Sequence, residues 1–143
     1  MIEAKRICNG TFGEVWLDSD YVGECKKAQA KVEFQKEEIK QCGTWYTDQK
    51  ITGVSGTGSL TLFKVNSRMA IKIADMINQK KDVRFTVISK LEDPDAYGAE
   101  RVSLSGVQFD DLTLFDWEAA TPGEVETPFI FTGYEYLDQI NPQ

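Results

Sequence analysis

Between Ala28 and Gln35 the chain reads AQAKVEFQ, an unbroken alternation of small or apolar with polar residues. In a strand, successive side chains project to opposite faces, so Ala28, Ala30, Val32 and Phe34 share one side and Gln29, Lys31, Glu33 and Gln35 the other. A helix would scatter both sets around its axis. The stretch therefore predicts a strand with one buried and one wet face, and a sheet to hold it.

The same period recurs along most of the chain. TFGEVWLD and YVGECKK flank a turn at Asp18–Asp20, where Asp side chains can bond their own backbone. SLTLFKV sets Leu60 and Leu62 against Ser59 and Thr61. VRFTVISKL places Val83, Phe85, Val87 and Leu91 on one side. In RVSLSGVQFD the apolar register slips at Gly106, which predicts a bulge. LTLFDWE reads as a continuing strand, and VETPFIFTGYEYL closes the chain, with Pro128 marking an edge or bulge position. The 3.6-residue period occurs once, in NSRMAIKIADMINQKK. There Met69, Ile73, Met76 and Ile77 form a core-facing stripe, with Asn66 or Ser67 as cap and Lys80 and Lys81 at the end. About seven or eight strands and one helix, with no βαβ alternation, predict a mainly β fold: an antiparallel barrel or sandwich with one flanking α-helix. At 143 residues the chain suits a single domain, 1–143, with a long aperiodic loop at about 41–57.

Composition narrows the chemistry. There is no histidine, which removes Ser-His-Asp and Cys-His catalysis together with the commonest metal ligand. Cys8, Cys25 and Cys42 are an odd number, match no zinc pattern and read as reduced thiols without a shared role. No apolar run approaches the ~20 residues of a membrane span, and the N-terminus lacks the apolar segment of a signal peptide. Assembly in the cytoplasm is expected. The net charge of −7 disfavours nucleic-acid binding without forbidding a surface past which DNA slides.

The glycines of KITGVSGTGSLTLFKV invite a phosphate-loop reading. Gly53, Gly56 and Gly58 fail it: no Lys-Ser/Thr follows, and the next element is a strand rather than a helix. Their expected role is positive φ and close backbone approach where a long hairpin re-enters its sheet. Glu37, Glu38, Glu92, Asp93, Asp95, Asp110 and Asp111 read as solvated carboxylates, with paired-carboxylate hydrolysis the weakest alternative. No catalytic, metal or cofactor site is assigned. Trp45 and Tyr46, in a polar glycine-containing segment, either fold onto the chain's own core or anchor a partner.

One resemblance spans nearly the whole chain. The order AKVEFQKEE, then GTWYTDQKITGVSGTGSLTLFKVNSRM, the helix, ERVSLSGVQFDD and VETPFIFTGYEYLD resembles the tail tube proteins of contractile phage tails, the PBSX-type or XkdM-like branch. That family includes the tubes of phage-tail-like bacteriocins. The most specific pieces are Lys50, Thr52, Gly53, Gly56, Thr57 and Gly58, and the ERVSLSGVQFD run.

The resemblance implies a small barrel-like subunit. Six copies form a ring, and rings stack into a hollow tube that is driven through a cell envelope when the surrounding sheath contracts. It implies self-association, sheath protein and a baseplate or tube initiator as partners, and it permits passage of DNA without specific binding while leaving open whether DNA or nothing passes. It makes Trp45, Tyr46, Ile51, Gly53, Gly56 and Gly58 an inter-ring loop. It makes Gln29, Lys31, Glu33, Gln35, Ser59 and Thr61 lumen-facing candidates. The competing reading is a monomeric small-ligand-binding β-barrel.

Overall fold

The turn expected at Asp18–Asp20 is built on backbone strain. Asp18 and Ser19 sit at φ 49° and 74°, the positive values that a two-residue hairpin loop needs to match strand twist. The turn joins β1 (Gly13–Leu17) to the short β2 (Asp20–Tyr21). Asp18 is tied to Thr86 twice: its N–H donates to the Thr86 carbonyl at 2.9 Å, and its Oδ1 accepts from the Thr86 N–H at 2.8 Å.

The computed structural model describes residues 1–142. After β2 come β3 (Cys25–Ile39), β4 (Asp48–Phe63), α1 (Arg68–Gln79), β5 (Phe85–Glu92), β6 (Ala99–Phe109), β7 (Glu124–Phe131) and β8 (Gly133–Asp138). Every pairing is antiparallel, in the order β2-β1-β5-β6-β7-β4-β3, with β8 also on β6. This is the strand-rich antiparallel architecture with one α-helix that the sequence predicts.

The corner of the fold lies at Gly106. β7 and β8 run consecutively along one edge of β6, with partners Phe109↔Phe129 and Gln108↔Ile130, then Ser105↔Gly133 and Leu104↔Tyr134. Between them Gly106 takes φ +63°, and a Cβ there would collide with Thr132 Oγ1. The expected bulge is present, and its register shift recurs against β5 between Phe85 and Val87. It folds the ladder so that β3, β4 and β7 face β1, β5, β6 and β8. The closing run VETPFIFTGYEYL is thus two strands hinged at Thr132.

The core lies between these two halves and under α1. It comprises Val15, Leu17, Val22, Leu60, Leu62, Met69, Ile73, Phe85, Val87, Leu104, Val107, Phe109, Phe129 and Phe131. Four of the rings form a chain: Phe85–Phe109 at 5.3 Å, Phe109–Phe129 at 6.1 Å and Phe129–Phe131 at 6.4 Å between centroids. These tilted and edge-on arrangements fall in the centroid range favourable for aromatic pairs.

The segment LTLFDWE does not continue β6. No strand is formed between Asp110 and Gly123. The reason is at Pro128. Asp110 N–H donates to the Pro128 carbonyl at 3.0 Å, but proline has no N–H to return to Asp110, so the ladder ends there. Pro128 is therefore tolerated inside β7 because its nitrogen faces the point where β6 stops.

The helix stripe holds in part. Met69 and Ile73 are buried and Met76 packs partly against the core, whereas Ile77, a further ~100° around the helix from Met76, is exposed. Asn66 supplies the N-terminal hydrogen bond, its Oδ1 accepting from Arg68 N–H at 3.0 Å, and Ser67 makes none. Helix termination at Lys80 uses a left-handed residue, φ 54°.

An ion pair anchors the first turn of α1. Arg68 Nε donates to Glu24 Oε1 at 2.7 Å, with both side chains largely covered. Burial opposes ionisation of Glu24, but hydrogen bonds from Arg68 and from its own backbone N–H outweigh it and hold the carboxyl below its ordinary value of 4.5. A carboxylate whose folded-state pKa is depressed contributes stability above its unfolded value and loses it as pH falls through the folded one. Glu24→Gln should therefore lower stability at pH 7, and its acid unfolding limb below about pH 4.5 should be flatter than that of the parent chain. Urea melts between pH 3 and 7 check this; parallel curves would remove Glu24 from the acid response.

Candidate assembly interface

The two longest strands outrun their sheet. β4 pairs with β7 only from Gly56 to Phe63, so the stretch from Asp48 to Ser55 is paired to β3 alone. At ~3.3 Å per residue this leaves a two-stranded arm projecting on the order of 25 Å. An isolated ribbon of two strands is marginal in water, which makes a naked arm a structural liability. Among the described residues the other edge of β3 has no strand partner.

The segment 41–57 is consequently not one long loop. Asp48–Thr57 belongs to β4, and the connection between strands is residues 40–47. Trp45 and Tyr46 stand at this tip at 103% and 88% exposure. Of the two alternatives left open for them, burial in the chain's own core is not what the structure adopts. Ile51 is also exposed, on the arm rather than in the loop.

The glycines are strand residues too. None of Gly53, Gly56 and Gly58 adopts positive φ; among glycines only Gly43 and Gly106 do. Close approach, the other half of the expectation, is what the structure shows. A Cβ on Gly56 would lie 2.5 Å from the Phe131 ring. One on Gly58 would lie 2.6 Å from the Phe129 ring and collide with the Gln29 carbonyl. The rings of β7 lie across β4, and glycine is the residue that leaves them room. Gly53 is different: its would-be Cβ meets only the Gln35 amide oxygen, at 2.8 Å, on a flexible side chain.

Register sorts the two faces. Gln29 stands opposite Ser59, Lys31 opposite Thr57, Glu33 opposite Ser55, Gln35 opposite Gly53 and Lys27 opposite Thr61. The candidates Gln29, Lys31, Glu33, Gln35, Ser59 and Thr61 thus share one polar face. Lys31 and Glu33 are ion-paired on it at 3.2 Å. The opposite face carries Ala28, Ala30, Val32 and Phe34 with Leu60, Gly58, Gly56 and Val54.

That second face is not buried as the alternation predicts. Val32 is half-covered, Ala28 and Ala30 are exposed, and Phe34 is 58% exposed. Alternation reports which side is apolar; burial requires a facing layer, and β3 runs past the end of the opposing strands. Near the body, Ala28, Ala30 and Val32 border a cleft of about 410 Å³ whose far wall includes Val102, Tyr134 and Tyr136.

The remaining chemistry is structural in placement. Buried Asp93 accepts backbone N–H bonds from Asn9 and Asp95, both at 2.9 Å, and pins the N-terminal segment. Cys8, Cys25 and Cys42 are free, and burial pushes the Cys25 thiol up. Among the described residues no group of three or more His, Cys, Asp or Glu could hold a metal ion. Among them, too, no helix is long and apolar enough to cross a membrane.

A family model described as phage tail tube protein matches residues 1–138. The chain is 30% identical over 142 residues to the phage-like element PBSX protein XkdM of Bacillus subtilis strain 168, covering 98% of this chain and 97% of that one. Its fold is similar to a chain in the anti-feeding prophage cap, the tube-terminating cap (TM-score 0.73, 12% identity, 97% and 96% of the two chains). It is likewise similar to one in the sheath-tube complex of an extracellular contractile injection system in its extended state (TM-score 0.69, 10% identity, 93% of each). Matched by that family over all but its last few residues and by XkdM over nearly its full length, the chain belongs to the phage tail tube protein family and is a structural tube subunit.

Proposed function

We propose that the chain, a single domain over 1–143, closes into hexameric rings that stack into the inner tube of a contractile tail or tail-like particle. The observation that carries this is the projecting β3–β4 arm. It has an unpaired edge, an uncovered apolar face at Phe34 and Val54, and bare aromatics at Trp45 and Tyr46. A neighbouring copy that pairs with the β3 edge and covers this face removes both liabilities. Heterologous contacts that close give rings and those that do not give filaments, and a tube uses both.

In this reading Trp45, Tyr46 and Ile51 touch the adjacent ring. Gly53, Gly56 and Gly58 shape the arm and its root rather than the contact. Gln29, Lys31, Glu33, Gln35, Ser59 and Thr61 line the lumen. The Lys31–Glu33 pair keeps that face locally neutral, which suits a conduit that passes DNA or other cargo without gripping it. Sheath protein and a baseplate initiator are the expected partners, by analogy with the sheath-tube complex above. Assembly is placed in the bacterial cytoplasm, and the subunit is non-catalytic. The cleft beside β3 opens along an exposed edge strand, which favours a protein neighbour over an enclosed small ligand.

Negative-stain electron microscopy of the purified full chain tests the proposal. Stacked rings or hollow rods are expected as concentration rises, or on addition of baseplate initiator. Featureless monomers under all of these conditions would overturn it.

A further inference from the structure

The charge of this chain is unevenly placed. No lysine or arginine follows Arg101, whereas eight carboxylates do. Asp138 is paired with Arg101 at 2.6 Å and Glu124 with Lys26 at 2.7 Å. The four in the segment DDLTLFDWE, namely Asp110, Asp111, Asp116 and Glu118, have no ion-pair partner among the described residues. The same nine residues expose Leu114, Phe115 and Trp117 at 77%, 80% and 79%. An acidic strap with three bare apolar side chains is a docking element, since scattered single apolar residues are ordinary but a contiguous set is not.

The complementary surface is at the far end of α1. Ile77 is 59% exposed there, and Lys80 and Lys81 form no ion pair among the described residues. The strap begins at the opposite end of the helix, where Thr113 and Leu114 border the same small cleft as Arg68 and Met69. Eleven to twelve residues of helix separate these ends by about 17 Å. From Leu114 to Trp117 an extended chain reaches only about 10 Å. Within the subunit the strap stays off that end: Phe115 and Trp117 remain bare, and among the described residues no ion pair joins Asp116 or Glu118 to Lys80 or Lys81.

We propose that the strap Asp110–Glu118 of one copy docks on the C-terminal end of α1 of the next copy, with Phe115 and Trp117 on Ile77, and Asp116 and Glu118 against Lys80 and Lys81. Complementary features at opposite ends of one helix make a head-to-tail contact, the type that builds rings or filaments. This rests on the tube reading and adds a second contact remote from the β3–β4 arm.

Two measurements test it. In the first, a photo-reactive phenylalanine analogue replaces Phe115, and ¹⁴N and ¹⁵N chains are mixed before illumination. The expected product is a mixed-isotope cross-link to a peptide within 71–81; a cross-link elsewhere overturns the docking. In the second, Lys80→Glu with Lys81→Glu should raise the concentration needed for assembly at least ~10-fold at low salt, and adding Asp116→Lys with Glu118→Lys should restore it to within ~3-fold. Reversal without effect, or a swap without rescue in variants that melt like the parent, overturns it. Rods with a cross-link elsewhere sink the docking alone. Cross-links to 71–81 without rods sink the tube reading alone. Absence of both sinks the two together.

Discussion

Gly58→Ala should destabilise the subunit by at least ~2–3 kcal/mol, seen as a fall in melting temperature of about 8–12 °C for a chain of this size. The added methyl collides with the Gln29 carbonyl and lies 2.6 Å from the Phe129 ring. The carbonyl is backbone within the β3–β4 ladder, so no rotamer change relieves the clash; the strands must part. Gly56→Ala runs first into the Phe131 ring, and pairing it with Phe131→Leu should recover part of the loss. Gly53→Ala is the control: Gln35 can swing away, and the cost should stay below about 1 kcal/mol. Thermal melts of the monomer separate the three. A Gly58 variant as stable as the Gly53 variant would mean that the β7 rings do not lie across β4 as described.

The second large effect concerns assembly and leaves folding alone. Trp45→Ala with Tyr46→Ala removes two almost fully exposed side chains, so the melt of the subunit should move by no more than the ~0.5 kcal/mol typical of surface changes. If the arm tip reaches the adjacent ring, each aromatic anchor is worth roughly 2 kcal/mol or more, and ring stacking should weaken by at least ~30-fold per aromatic lost. Sedimentation velocity against concentration reads this directly. Unchanged rod formation would detach these residues from the inter-ring contact. It would leave the strap proposal untouched, because the strap borders the β4–α1 connection, at the far end of β4 from the arm tip.

How far the sequence could be read depended on whether each property was local. Met69 and Ile73 were legible because a helical stripe is set by spacing alone, and so was Gly106, because a slipped apolar register needs an extra residue. Leu112 and Leu114 misled for the same reason. Their alternation is genuine, but Pro128, some fifteen residues downstream, withholds the N–H that would continue the ladder. Ile77 fits the stripe and remains outside, at the margin of the face that buries Met69 and Ile73 and half-covers Met76.

The glycine segment divides the same way. Its order of residues was enough to exclude a phosphate loop, and alternation was enough to place Gln29, Lys31, Glu33 and Gln35 on one face. That Gly56 and Gly58 lie beneath Phe131 and Phe129, that β4 begins at Asp48, and that Phe34 faces no layer of its own were decided by tertiary structure. Periodicity records which faces of an element are apolar. Only the packed chain decides which of those faces meet a partner within the subunit and which are left for another copy.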